Sequence, residues 1–266
     1  MKRTLGKQET QMLAYLQMRK RRIVRTGELT GPLRLTRLQE RELFRRMARG
    51  GLIARVRPGL YLVPSQLPLG GSWSPEEALA VTTLIEDRRG KYQICGPSAF
   101  NHHGFDEQVP TRVYAYNNRI SGDRTIGAVA LTLIKVADER LGDIEDVRTA
   151  EGVSAPYSSR VRTLVDGVYD WTRFNSLPRA YRWVRAELAS GRVGAAKLVR
   201  ATLRYGDVGT IRRMGALLER EGVDNRLVRQ LERVLKPSTS LIPWIPTRPK
   251  RGTVDRRWGV VWNERD

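Results

Sequence analysis

The chain has 266 residues, of which 40% are hydrophobic and 29% charged, and its formal net charge is +20. That length allows two domains with sizeable cores, and the composition is that of a folded rather than a disordered protein. No apolar run approaches the roughly 18 residues that a membrane span needs, and the basic N-terminus lacks the apolar segment of a signal peptide. We therefore expect a cytoplasmic protein with no membrane partner.

Cysteine and histidine are scarce, which limits the chemistry open to the chain. The single cysteine, Cys95, excludes an internal disulfide and fits a reducing compartment. Only His102 and His103 offer imidazole ligands, so a metal would have to be held mostly by carboxylates. The sequence predicts no metal site and no cofactor.

The positive charge is concentrated near the N-terminus. Residues 1–64 hold 16 of the 48 Lys and Arg but only 4 of the 28 acids, so +12 of the +20 lies in the first quarter of the chain. Of the 48 cationic residues 40 are Arg, so an Arg-rich genome contributes to the total without explaining this concentration. The asymmetry predicts a polyanionic partner, and nucleic acid is favoured over a membrane.

Residues 1–64 predict a helix, a short helix, a basic helix and a hairpin. Glu9–Lys20 has helical spacing, Arg25–Gly31 fits the second helix of a helix-turn-helix, and Thr36 caps the third. After Gly50-Gly51 come two β-like runs, LIARV and LYLVP, joined by Arg57-Pro58-Gly59. A basic helix followed at once by a tight basic hairpin is typical of the recognition helix and wing of a winged helix-turn-helix.

The third helix predicts one core face and one DNA-contacting face. Leu43, Phe44 and Met47 fall on a single arc, which indicates a core stripe. Leu38 lies off that stripe and either packs on the second helix or contacts a thymine methyl, and Tyr61 fits either the core or the interface. A solvated charged face is the alternative, but it explains neither the excess of cations nor the wing. The predicted DNA contacts are Gln39, Arg41, Arg45, Arg46, Arg49, Arg55 and Arg57.

The remaining chain predicts a mixed α/β part and then a helical part. Residues 65–73 have the composition of a linker, which makes residues 1–66 and 74–266 two domains. Ser74-Pro75-Glu76-Glu77 predicts a capping box before an apolar helix. The predicted fold is α+β, with an N-terminal winged helix-turn-helix and a larger mixed α/β domain that has a helical C-terminal section. Strands are predicted at 92–95, 112–116, 129–136 and near 256–263, and helices at 96–100, 158–171, 178–190, 193–205, 207–221 and 224–235.

Catalytic patterns are scarce, and the sequence predicts a protein that is not an enzyme. It contains no Gly-rich phosphate loop, no H-E-x-x-H and no G-x-S-x-G. The His102-His103 pair offers the one general base of neutral pKa, although such pairs more often cap or pack. Leu133 stands two residues before Lys135, where a metal-dependent nuclease would carry an acid, which weakens that alternative without excluding it. Asp166 favours a buried salt bridge with Arg160 or Arg162 over a functional role.

Several segments occur in a recognisable order: GGLIARVRPGLYLVP, SPEEALAV, YQICGPSAFNHHGF, RVYAYNN, SSRVRTLVD, RRMGALLE and RRWGVVWN. This set resembles the AbiEi-type antitoxins of bacterial type IV toxin–antitoxin (abortive infection) systems. The resemblance covers essentially the whole chain.

That resemblance implies a two-domain antitoxin and autorepressor. Its winged helix would bind repeats in its own promoter, and its C-terminal domain would neutralise a nucleotidyltransferase-like toxin without a stable complex. The resemblance extends the DNA-binding role to Arg37 and makes Arg162 and Asp166 the first positions to test for antitoxicity. Two alternatives stay open: an ordinary winged-helix regulator whose C-terminal domain senses a ligand or dimerises, and a nuclease delivered to DNA.

Overall fold

The structure, a computed structural model, describes residues 5–66, 72–149 and 152–264. Its fold is α+β, with helices and with sheets of mixed strand orientation. Two compact units are present: unit 1 contains residues 1–92, 111–141 and 147–155, and unit 2 contains residues 93–110, 142–146 and 156–266. The predicted linker at 65–73 falls largely outside the described residues, so a domain boundary there remains a prediction. Among the described residues no helix has the length and apolar character to cross a bilayer.

The first part of unit 1 is a winged helix. It contains α1 (Lys7–Met18), β1 (Ile23–Arg25), α2 (Arg37–Arg49), β2 (Ala54–Arg57) and β3 (Leu60–Leu62). The three strands form an antiparallel sheet of order β1-β3-β2, and Gly59 turns the β2–β3 hairpin with a φ of 80°. The predicted first and third helices and the wing are therefore confirmed.

The predicted helix at Arg25–Gly31 is wrong. Arg25 ends β1, and turns occupy residues 26–34. The first of these turns is held by Glu40 of α2, whose buried carboxylate accepts the N–H groups of Gly27 at 2.6 Å and Leu29 at 2.8 Å. Arg25, at the start of this segment, pairs with β3 as part of β1. The N–H groups of Gly27 and Leu29 are hydrogen-bonded by the Glu40 carboxylate, so they are satisfied without a helix.

The core of the winged helix contains the apolar residues that the sequence of α2 predicts to face inward. Leu43, Phe44 and Met47 are fully buried, and Tyr61 is only 8% exposed with its ring stacked on Phe44 at a centroid distance of 4.7 Å. Tyr61 therefore belongs to the core, although it also lines a surface depression. Leu38 is 70% exposed, so it does not pack on a neighbouring element.

The middle of the chain alternates helices and strands. The elements are α3 (Glu77–Glu86), β4 (Tyr92–Ile94), α4 (Gly96–His102), β5 (Val113–Asn117), β6 (Gly122–Ile126), β7 (Val129–Lys135), a 3₁₀ helix (Asp138–Arg140), β8 (Ile144–Arg148) and β9 (Ser154–Ser158). Strands β5, β6 and β7 of unit 1 have the order β6-β7-β5, with β5 and β7 parallel and β6 and β7 antiparallel. Strands β4, β9 and β8 have the order β4-β9-β8, and each carries the chain from one unit to the other.

One prediction for this part of the chain is wrong, and three of its strands were not predicted. The capping box at Ser74 does not form, because α3 starts at Glu77 and the Ser74 hydroxyl accepts the N–H of Ala128 at 2.9 Å. The strands that were not predicted are β6, β8 and β9. Strands β6 and β8 are largely polar and exposed, so they lack the apolar alternation that marks a strand.

Unit 2 is mainly helical, and its predicted helices are confirmed to within a few residues. The elements are α5 (Arg160–Tyr169), α6 (Trp171–Phe174), α7 (Arg179–Ala189), α8 (Ala195–Tyr205), α9 (Val208–Arg220), α10 (Asn225–Glu232), β10 (Ile242–Pro243), β11 (Thr253–Asp255) and β12 (Val260–Trp262). The last three strands form a small sheet of order β10-β12-β11, in which β12 is the predicted closing strand.

The segments RRMGALLE and RRWGVVWN pack against each other in unit 2. Arg212 donates Nε–H to the carbonyl oxygen of Trp258 at 2.6 Å and Nη2–H to that of Gly259 at 2.6 Å. A Cβ atom added to Gly215 would lie 2.1 Å from Cζ3 of the buried Trp258 ring. Gly215 is therefore required by the close approach of the ring.

We expect Gly215→Ala to destabilise unit 2. The Trp258 ring cannot move aside easily, because its Nε1–H donates to Glu219 at 2.6 Å. Overpacking of this kind costs about 1–3 kcal/mol in the free energy of unfolding, measurable by urea denaturation. As a control, Gly194→Ala adds a Cβ atom that meets nothing within 4 Å, and it should cost less than about 1 kcal/mol. Equal losses in the two variants would contradict this explanation.

Candidate nucleic-acid interface

Helix α2 and the wing together form a concave basic surface. The depression between them has a volume of about 360 Å³, and four of its lining residues are arginines against a single acid. We name it the helix–wing surface, which is lined by Arg41, Glu42, Arg45, Ala48, Arg49, Arg55 and Tyr61. Arginines from two elements thus converge on one side of the winged helix, as duplex binding requires.

Four of the predicted DNA contacts are arginines whose guanidinium groups are not engaged elsewhere. Arg37, Arg41, Arg49 and Arg55 are exposed and have no ion pair within the described residues. Three of them line the helix–wing surface, and Arg37 lies at the first turn of α2. These charges remain available for phosphate oxygens.

The other predicted contacts on α2 have intramolecular partners. Arg45 pairs with Glu42 at 2.7 Å, with both side chains at least half exposed, and Arg46 Nε–H donates to Glu9 of α1 at 3.0 Å. Gln39 completes a capping box, since its side-chain oxygen accepts the N–H of Thr36 at 2.8 Å. An exposed pair such as Arg45–Glu42 contributes at most about 1 kcal/mol, so a phosphate can compete for Arg45.

Arg57 anchors the wing within unit 1. Its Nε–H and Nη2–H donate to the two oxygens of Asp87 at 2.5 and 2.8 Å, and Arg25 donates to the same carboxylate at 2.9 Å. The Asp87 side chain is 6% exposed. The hydrogen bond from Arg57, supported by Arg25 against the opposing effect of burial, holds the pKa of Asp87 well below its usual range. Arg57 thus positions the wing, a role that the sequence did not suggest.

We expect Asp87→Asn to make acid unfolding less steep. Because the pKa of Asp87 is lower in the folded chain, its contribution to stability is complete above the unfolded-state value of about 4. The contribution is lost as the pH falls from that value through the folded-state pKa. The free energy of unfolding of the wild type should therefore decline more than that of the variant between roughly pH 5 and pH 2. Parallel pH profiles would contradict the assignment.

Arg162 and Asp166, the tentative antitoxicity residues, form a buried pair within α5. Arg162 Nε–H donates to Asp166 Oδ1 at 2.9 Å, and both side chains are 0% exposed. The guanidinium lies 3.7 Å from the ring centroid of Tyr205 on α8. The predicted buried salt bridge is confirmed with Arg162 as the partner, while Arg160 pairs with Glu187 at 3.1 Å. Neither member of the pair is accessible to another protein in this structure.

Unit 2 also contains a basic cleft that the sequence did not predict. Its volume is about 590 Å³, Tyr205 forms part of its wall, and five cations face two acids. These charged residues are Arg160, Arg192, Lys197, Arg200, Arg204, Asp143 and Glu145. They come from β8, α5, α8 and the connections between elements, so no local motif marks them.

At the edge of this cleft the chain brings both of its histidines to one carboxylate. His102 Nε2 lies 3.2 Å from Glu145 Oε1, and His103 Nδ1 lies 3.8 Å from the same oxygen. Glu145 is contributed by β8, one of the strands that the sequence did not predict. The sequence led us to expect that the histidine pair caps a helix or packs in the core. It did not predict that Glu145 lies beside both rings.

The chain is similar in fold to a solved structure from a mycobacterium. A crystal structure of the RV2827C protein from Mycobacterium tuberculosis aligns with a TM-score of 0.61 and 15% sequence identity, covering 97% of this chain and 92% of that chain. At that identity the similarity shows a shared fold and no more. No family profile and no curated protein matches the chain.

Proposed function

We propose that this protein is a DNA-binding antitoxin that represses its own operon through the helix–wing surface. The observation that carries DNA binding is the convergence of Arg41, Arg49 and Arg55, none engaged in an ion pair within the described residues, on one concavity between a helix and a hairpin. In such an arrangement the helix enters the major groove and the wing reaches the adjacent backbone or minor groove. The concentration of positive charge in residues 1–64 supports the same surface.

The antitoxin part of the proposal is supported by the ordered segments that resemble AbiEi-type antitoxins. In this proposal the remainder of the chain counters a nucleotidyltransferase-like toxin without forming a stable complex with it, and the chain carries out no catalysis of its own. The runner-up is an ordinary winged-helix regulator, and one observation favours it: the cleft in unit 2 is large enough for a small ligand.

Operator recognition is tested by titrating the full chain against DNA from upstream of its own gene. Fluorescence anisotropy at one fixed salt concentration is compared with a scrambled duplex of the same length. We expect the upstream fragment to bind about a thousandfold more tightly or better, the usual margin of specific over non-specific sites. Equal affinity for the two duplexes would overturn autorepression.

Antitoxicity is tested by co-expressing the chain with the nucleotidyltransferase-like gene that the proposal places next to its own. We expect growth of toxin-expressing cells to be restored, without co-purification of the two proteins. If operator binding is specific and growth is not restored by any neighbouring gene pair, the antitoxin part is wrong and the regulator remains. Release of operator DNA by a small ligand would then identify the sensing form of that regulator.

A further inference from the structure

His102, His103 and Glu145 form a compact cluster within unit 2. Each offers one ligand atom, and the three atoms lie within 4.8 Å of one another. The two imidazoles are the only ones in the chain, and both belong to this cluster. His102 stacks on Tyr157 at a centroid distance of 4.6 Å, which helps to fix its ring plane.

The hydrogen bonding of His103 determines which of its nitrogens has a lone pair. His103 Nε2 lies 2.9 Å from the carbonyl oxygen of Ser158, which only accepts, so Nε2 carries the proton. An imidazole that carries its single proton on Nε2 keeps the lone pair on Nδ1. Nδ1 of His103 then lies 3.8 Å from Glu145 Oε1, so two hydrogen-bond acceptors face each other. A cation between the two atoms resolves this arrangement.

Two of the three ligand-atom spacings are close to those around a tetrahedral metal ion, and all three atoms lie within 4.8 Å of one another. Zinc bonds of about 2.0–2.2 Å to nitrogen and oxygen place neighbouring ligand atoms roughly 3.4 Å apart. The distances from Glu145 Oε1 to His102 Nε2 and His103 Nδ1 are 3.2 and 3.8 Å, on either side of that value. Metal-binding histidines commonly donate their second ring N–H to a backbone carbonyl, as His103 does to Ser158.

We propose that His102, His103 and Glu145 bind one divalent transition-metal ion of the zinc class. Three protein ligands leave a fourth position open, as in zinc sites that bind water or an exogenous ligand. Because Glu145 also lines the basic cleft, the ion lies at the edge of that cleft. The cleft cations oppose a further positive charge, so the site binds zinc less tightly than a four-ligand structural site does.

The first test is a zinc titration of the tag-free full chain against a competing metal indicator. We expect about one Zn²⁺ per chain, and Glu145→Gln should weaken binding at least about tenfold, because it removes a ligand charge from the site. Glu107→Gln, an exposed acid in the same unit outside the cluster, should bind as the wild type does. Binding that is absent, or equally tight in Glu145→Gln, would overturn the proposal.

The second test identifies the ligands directly. Since the chain has two histidines, its ¹H–¹⁵N imidazole spectrum contains two rings, and Zn²⁺ should shift the resonances of both. Cobalt in place of zinc should give the strong visible absorption of four-coordinate Co²⁺, which should be lost in Glu145→Gln. Imidazole resonances that do not shift when Zn²⁺ is added would contradict the assignment, even if zinc binds elsewhere on the chain. Glu145 is about two-fifths exposed, so its variant should fold.

Discussion

Asp166→Ala is expected to lower the free energy of unfolding by about 3–5 kcal/mol. The substitution removes the carboxylate from beside the fully buried Arg162 guanidinium, which also contacts the Gly142 carbonyl oxygen at 3.3 Å and the ring of Tyr205. Ser158 Oγ–H, which lies 3.3 Å from Asp166 Oδ2, loses that acceptor as well. Removing the charged partner of a buried ion is among the few single changes with an effect of this size. Urea unfolding followed by circular dichroism measures it.

Two further variants separate the buried charge from the rest of the site. Arg173→Ala removes one partner of the Arg173–Asp170 pair, in which Arg173 is about half exposed, and should change the free energy by less than about 1 kcal/mol. The double variant Arg162→Met/Asp166→Leu removes both buried charges and should recover much of the loss. If Asp166→Ala unfolds like the wild type, the pair has no structural importance.

This result also bears on antitoxicity. If the pair acts by holding α5 against α8, Asp166→Ala should lose toxin neutralisation together with folded protein, and the apolar double variant should regain both. Neutralisation that is lost in a stable double variant would instead assign the charged pair a direct role. Soluble, folded protein in the cell is therefore measured beside growth.

The second large effect is expected from the triple variant Arg41→Ala/Arg49→Ala/Arg55→Ala. Each side chain is exposed and without an ion pair within the described residues, so the fold should be unchanged. A charge-assisted hydrogen bond contributes roughly 1.5 kcal/mol or more, so three such bonds correspond to a loss of about a thousandfold or more in affinity. Anisotropy titration of the operator duplex measures the loss.

A matched variant controls for net charge. Arg226→Ala/Arg229→Ala/Arg233→Ala removes three exposed arginines at α10, in unit 2, and lowers the net charge by the same amount. We expect it to change operator affinity by a small factor. Equal weakening by the two triple variants would mean that general surface charge, rather than the helix–wing surface, attracts the DNA.

Local patterns in the sequence predicted the helix–wing surface and the buried pair. The arc of Leu43, Phe44 and Met47 fixed which face of α2 points inward, and therefore which arginines point outward. Arg162 and Asp166 are one helical turn apart among apolar residues, which is a local spacing too. Such features depend on neighbours within a few positions, so one sequence is enough to find them.

What the sequence could not predict depends on distant residues. Arg57, a predicted DNA contact, is hydrogen-bonded to Asp87. Because the two residues are 30 positions apart, no local pattern in the sequence reveals this pairing. His102 and Glu145 are 43 positions apart, and β8, which brings Glu145, is too polar to be recognised as a strand. The prediction that carboxylates would supply most ligands of any metal site came from the number of Cys and His residues. The sequence does not show which of the possible ligand side chains lie close together. The three-residue β1 was likewise not predicted, and its last residue, Arg25, was placed at the start of a helix.

The salt dependence of operator binding tests the central claim most directly. A plot of log affinity against log salt concentration falls by about 0.9 for each phosphate contact. We predict that the helix–wing triple variant has a slope shallower than that of the wild type by about 2 to 3 units, while the α10 triple variant keeps the wild-type slope. A helix–wing triple variant with the slope of the wild type would show that Arg41, Arg49 and Arg55 do not contact phosphates, and it would contradict the proposed interface.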